Sequence, residues 1–242
     1  MAASAPASAL RWLILAAVFA LGAYVQSNGL LPSILSHSDD ILYLARQHLW
    51  LVAVSGTLAT LVAVPLGVLL TRERFRPYAN AVVQFVNLGT TIPTLAILAL
   101  SMSFLGIGAP PALFGLFVLT LLPILLNTIA GVRSVPAPLI EAALGMGMTR
   151  RQILIEVELP NAAFVILAGI RTALAINVGT APLAFLIGGG GLGELIFTGI
   201  DLMRPGMLLA GAIPTALLAI LVDFVLGQGQ YWFIPKGVNP LR

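Results

Sequence analysis

Apolar residues run along this chain in blocks of helical length, each closed by a short polar break. Six blocks stand out, near residues 10–25, 49–70, 81–105, 112–130, 162–187 and 207–226. Most reach the roughly 20 residues that a helix needs to cross about 30 Å of hydrocarbon. The pattern predicts an all-α, polytopic membrane helix bundle of about six transmembrane helices. The first block is the weakest, and with Arg11 before it and Ala20-Leu21-Gly22-Ala23 near its end it also has the form of a signal peptide. A retained span is favoured, because no polar mature domain follows it. The division expected is an N-terminal span with an outer connection over 1–46, then the main membrane domain over 47–242.

Within the third block, Asn80, Gln84, Asn87, Thr91, Thr94 and Ser101 recur at spacings of three, four or seven, with Thr90 beside them. On one straight helix they share a face about 32 Å long. A polar stripe against lipid is costly, so it should face the bundle interior or another subunit. Two readings stand level: a translocation path, for which Asn87, Thr90, Thr91, Thr94, Asn177 and Thr180 are the candidates, or hydrogen-bonding glue between helices. Pro93 interrupts the stripe and predicts a kink. Arg171 and Asp223 are the charges set deepest in spans. They either pair across the fifth and sixth helices or snorkel separately to the inner interface.

Composition agrees with a bilayer as solvent. Of 242 residues, 59% are hydrophobic and 9% charged, against about 25% charged in soluble domains. The net charge of +3 comes from basic residues set between the apolar blocks, not from a patch with interleaved aromatics, so nucleic acid is not indicated as a partner. Six spans put both termini on one side. Arg11, Arg72, Arg74, Arg76, Arg133, Arg150, Arg151, Lys236 and Arg242 share that side, against Arg46 and Arg204 opposite. Nine against two predicts cytoplasmic termini and a cytoplasmic 131–160 stretch. The absence of cysteine excludes thiol chemistry and disulfides.

The 131–160 stretch is too polar to cross and too patterned to be a plain loop. Pro136 and Pro138 break the preceding span, and Pro138 suits the first turn of a short helix over 139–146. Gly147 is placed to end that helix. Thr149 and Gln152 have capping-box spacing for a second helix, whose apolar stripe is Ile153, Leu154 and Val157. Pro160 marks its junction with the next span, and Glu156 and Glu158 read as a solvated face. The product is a helix–turn–helix knob on the inner surface, able to transmit force from a partner.

Its residues carry a resemblance. Glu141-Ala142-Ala143, three residues, Gly147, nine residues and Val157-x-Leu159-Pro160 resemble the EAA loop of ABC importer permeases, with Val157 where that pattern has Ile. The resemblance implies a type I importer permease fold and a coupling helix seated on a cytoplasmic ATPase, through Glu141, Ala142, Ala143, Gly147, Leu159 and Pro160. ATP and Mg would act on that partner; no cofactor is expected in this chain. Val64-Pro65-Leu66-Gly67, Thr91-Ile92-Pro93, Gly169-Ile170-Arg171-Thr172-Ala173, Ile176-Asn177-Val178-Gly179-Thr180-Ala181 and the run from Gly190 to Gly199 are similar to the branch importing glycine betaine, choline and carnitine. It implies a multi-pass subunit of a bacterial inner membrane, dimerised with a second copy or a paralogue and served by an extracytoplasmic binding protein. Related importers carry amino acids or thiol-betaines, and an ion-gradient-driven carrier is the alternative class.

Other signals lead away from enzymes. Gly188, Gly190 and Gly193 satisfy G-x-G-x-x-G, but a membrane helix precedes them where a dinucleotide fold needs a strand. Gly188, Gly190, Gly191, Gly193 and Glu194 are instead candidates for an outer gate or docking turn. The single lysine, Lys236, precludes a phosphate-loop G-K-[ST]. His37 and His48 lack partners for a metal site, and no nucleophile–base pair emerges.

Overall fold

The computed structural model describes residues 29–234 continuously, with isolated positions between 12 and 27 and at 237–238. Most of the predicted first span, Lys236 and Arg242 lie outside the described residues. The described residues are helical throughout, without a strand.

A short helix α1 (Leu30–Leu35) leads into α2 (Ser38–Thr71). Then come α3 (Ala79–Thr91), α4 (Thr94–Leu105), α5 (Ala109–Arg133) and α6 (Ala137–Gly145). Helix α7 (Arg150–Gln152) passes through a π turn (Ile153–Glu158) into α8 (Leu159–Thr180). A 3-10 stretch (Ala181–Ile187), α9 (Gly193–Asp201) and α10 (Pro205–Phe233) complete the chain. Four continuous helical stretches are long and apolar enough to cross a membrane: α2, α5, Arg150–Ile187 and α10.

Two sequence expectations need correction. The kink expected at Pro93 is present, but at 97° between α3 and α4 it breaks the single face that the polar stripe of the third block was expected to share. Pro93 lacks an amide hydrogen and forces Ile92 into extended backbone (φ −74°, ψ 131°), which ends α3. Its 13 residues and the 12 of α4 give about 20 and 18 Å, so neither alone spans hydrocarbon. Pro160 sits at the expected junction, in the first turn of α8; the π turn widens the helix just before the proline ring, the helix continues, and the Asn161 side-chain Nδ2 donates to the Val157 carbonyl at 2.7 Å. Second, Glu158 is not solvated: it is 8% exposed and its Oε2 lies 2.6 Å from Arg72 Nη1. Glu156 is exposed.

Helix α5 packs between α2 and α8, and α10 closes the bundle against α8 and α9. Small residues set the spacing. Gly56 faces Leu174, Gly67 faces Thr128 and Gly169 faces Asn127, so backbones approach closely where van der Waals contact drives association in lipid. Leu51, Leu98, Leu116 and Val178 fill one core, and Ala59, Ala63, Ile124 and Leu125 a second. Phe85, Phe104, Leu61 and Ile220 point outward, as expected of a bundle whose outer surface meets lipid or another subunit.

The turns sort to two ends. Gly108 N donates to Ile187 O at 2.9 Å, which joins 106–111 to the glycine-rich segment. At the opposite end Arg72 and Glu73 meet Glu158 and Arg150.

Candidate functional site

The knob is built by local rules. Pro136 is extended (φ −60°, ψ 131°) and Pro138 sits in the first turn of α6. Ala143 is buried, while Glu141 and Ala142 are exposed. Gly147 has φ +82°. Met148 N donates to Ala143 O at 3.1 Å and Gly147 N to Leu144 O at 2.9 Å, the paired bonds of a Schellman turn with Gly147 in the left-handed position. Two residues later Thr149 Oγ1 accepts from Gln152 N at 3.3 Å, and Gln152 Oε1 accepts from Thr149 N at 2.9 Å. This reciprocal cap starts α7. Ile153 is buried, and Leu159 and Pro160 are half-buried where the helix enters the bundle. The Arg72–Glu158 pair then ties the end of α2 to the π turn. Arg150 and Glu73, 3.6 Å apart and exposed, add little. The outcome is a short exposed helix face on a firm base.

Between α8 and α10, Arg171 and Asp223 meet in a bidentate pair, with Nε to Oδ1 and Nη2 to Oδ2 both at 2.5 Å. It joins α8 to α10 and satisfies both charges at once. The six candidate path residues do not form one cluster. Asn177 is sealed within the chain, where its Nδ2 donates to Ser55 Oγ at 2.9 Å. Thr180, half-buried, bonds to the Ile176 and Asn177 carbonyls. On α3, Thr90 Oγ1 bonds to Asn87 Oδ1 at 3.1 Å, and both are half-buried. Asn80, Gln84 and Thr91 are exposed, Thr94 is half-buried, and Ser101 turns into the core beyond the bend. The outward part of the stripe therefore faces away from the chain's own bundle.

The glycine-rich end is a tight turn. Gly188, Gly190 and Gly191 have φ of +79°, +77° and +87°. Gly191 N donates to Gln47 Oε1 at 3.1 Å. A Cβ on Gly193 would overlap the Pro182 carbonyl, so this position admits no larger residue without a shift of backbone. Glu194 is exposed in the first turn of α9, where its charge suits the helix N-terminus.

Residues 63–236 match the family described as "Binding-protein-dependent transport system inner membrane component". The chain belongs to that family. It is 52% identical over 203 residues to the osmoprotectant import permease protein OsmY of Salmonella typhimurium, covering 84% of each. It is 44% identical over 223 residues to the carnitine transport permease protein OpuCB of Listeria monocytogenes, covering 92% of this chain and 97% of that protein. With the choline transport system permease protein OpuBB of Bacillus subtilis it shares 42% identity over 219 residues, 90% of this chain and 96% of that protein. An inward-facing structure of the MetNI methionine ABC transporter shares the fold, with a TM-score of 0.71 at 24% identity over 80% of this chain and 98% of that one.

The family match takes in the knob, the Arg171–Asp223 pair and the glycine turn, while α1 and most of α2 precede it. Sequence reasoning missed two buried polar residues and one ion pair in this permease-family chain. His48 is fully buried, with Nε2 3.0 Å from the Val178 carbonyl. Ser55 lies seven residues on, on the same face of α2, and that spacing was the available signal. The third, Arg72–Glu158, had none, because its members are 86 residues apart in a sequence with many flanking arginines.

Proposed function

We propose that this chain is the membrane-spanning permease of an ATP-driven importer for small zwitterionic or quaternary-ammonium osmoprotectants, of the glycine betaine, choline or carnitine type. The observation that carries the reading is the 52% identity to an osmoprotectant import permease over 84% of the chain, supported by the carnitine and choline permeases at over 40%. In this reading the chain is a transport subunit and not itself an enzyme. Cytoplasmic ATPases, which bind ATP and Mg, grip α6 through Glu141, Ala142 and Ala143. Gly147 sets the turn, and Leu159 and Pro160 pass the movement into α8. A second copy or a paralogue faces the outward part of the α3 stripe, where Asn87, Thr90, Thr91 and Thr94 border the path. Asn177 and Thr180 would join that path only if α8 moves relative to α2.

An extracytoplasmic binding protein docks near the glycine turn and Glu194. Neutral amides and hydroxyls suit a solute that must be released, whereas tight capture of a quaternary ammonium uses aromatic faces. Selectivity is therefore assigned mainly to the binding protein. The excess of basic residues at the knob end supports cytoplasmic placement of that end in a bacterial inner membrane.

The test is uptake by the complete complex in proteoliposomes, with radiolabelled glycine betaine, carnitine, choline, methionine and a thiol-betaine. Accumulation of one of the first three, with methionine excluded, is the expected result. Preferential methionine or thiol-betaine uptake would reassign the solute.

A further inference from the structure

Two adjoining cavities lie beside the knob. The first, about 540 Å³, is lined by Arg72, Arg76, Arg150 and Arg151 with Glu73 and Glu158. Four guanidinium groups against two carboxylates leave an excess of two positive charges. Arg72 is committed to Glu158, and Arg150 stands near Glu73. Arg76 and Arg151 make no ion pair among the described residues. The second cavity, about 370 Å³, is an apolar groove along Val64, Val68 and Leu69 of α2, walled by Leu159. A basic chamber at the end of the membrane helices thus adjoins an apolar groove along α2, with Arg72 and Leu154 shared between them.

We propose that this composite cavity binds an anionic phospholipid, with the phosphate headgroup between Arg76 and Arg151 and an acyl chain along the α2 groove. Charge complementarity selects the headgroup. The cytoplasmic leaflet carries anionic lipid, and basic pockets between membrane helices suit such headgroups; this step rests on the orientation proposed above, not on the solute. The apolar limb argues against a soluble protein as the occupant, because Val64, Val68 and Leu69 line the last two turns of a membrane helix and a water-borne partner would have to reach along it into the bilayer to fill the limb. An occupied site would bridge the 72–78 turn to the knob through two arginines, and so hold the coupling face against the membrane surface.

The experiment is native mass spectrometry of the permease–ATPase complex, released from micelles of phosphatidylcholine mixed with phosphatidylglycerol. The wild type is expected to retain phosphatidylglycerol over phosphatidylcholine. R76E/R151E should lower that retention by about tenfold or more, given roughly 1 kcal/mol per basic residue near a membrane surface. L69W, which fills the apolar limb without altering charge, should also lower it, and inorganic phosphate should not compete. Should R76E/R151E prove poorly folded by gel filtration, R76Q/R151Q replaces it. Unchanged retention in these variants overturns the proposal. Displacement by inorganic phosphate overturns it in favour of a simple anion site. If the charge variants lose the ATPase while the free permease retains its lipid, the basic chamber is a protein-docking surface and the proposal fails.

Discussion

Gly147→Val is expected to abolish ATP-driven uptake while the permease remains in the membrane at near wild-type abundance. Gly147 holds φ +82°, a conformation that costs a β-branched residue more than the roughly 1–2 kcal/mol it costs an ordinary one. The variant can relieve that strain only by opening the turn between Ala143 and Met148, which would swing α6 away from the cap at Thr149. The added side chain itself does not collide with the bundle, because a Cβ at Gly147 meets nothing within 4 Å. Folding and coupling should therefore separate. Glu141→Ala should give a milder loss of uptake, since that exposed carboxylate makes no ion pair among the described residues and its partner is assigned to the ATPase. Uptake by proteoliposomes, normalised to permease content, checks both. Wild-type uptake by Gly147→Val would remove the knob from the energy path.

Single changes at Arg171 or Asp223 are expected to destabilise the bundle, and the exchange R171D/D223R to restore much of the loss. Each partner alone would leave a charge within the membrane helices, where insertion scales put the cost at about 2.5–3.5 kcal/mol. The side chains keep 36% and 40% of their exposure in the isolated chain, so the loss belongs below that range, about 2 kcal/mol, near thirtyfold in a folding equilibrium. The exchange recovers the attraction but not the bidentate geometry, so recovery should be partial. Thermal unfolding of the purified complex measures all three variants. An exchange no more stable than the weaker single variant would mean that the two charges act separately.

The knob was legible because its rules are local. Pro138, Gly147 and the Thr149–Gln152 pair each announce themselves within a few residues, and each adopts the backbone that its chemistry favours. The four long spans were legible from apolar length alone. Pro93 was legible as an interruption but not as a 97° bend, since the angle depends on what α3 and α4 pack against. Reading α3 and α4 as one rod also placed Ser101 on the same face as Gln84, whereas one is buried and the other exposed. Pairings across the fold were the least legible. Arg171 and Asp223 could be matched because few charges lie in spans, but Glu158 looked like its exposed neighbour Glu156 until Arg72 was placed beside it. Asn177 read equally as a path residue or as interhelical glue, and its amide is bonded to Ser55 on α2. A polar side chain in a membrane helix announces a partner, and sequence alone does not say whether that partner is a helix or a solute.

The most direct test of the central claim is solute accumulation in proteoliposomes assembled with the permease, its ATPase and its binding protein, each omitted in turn. Uptake against a gradient is expected only when all three are present with ATP and Mg. Accumulation by the permease alone, driven by a sodium or proton gradient, would contradict it.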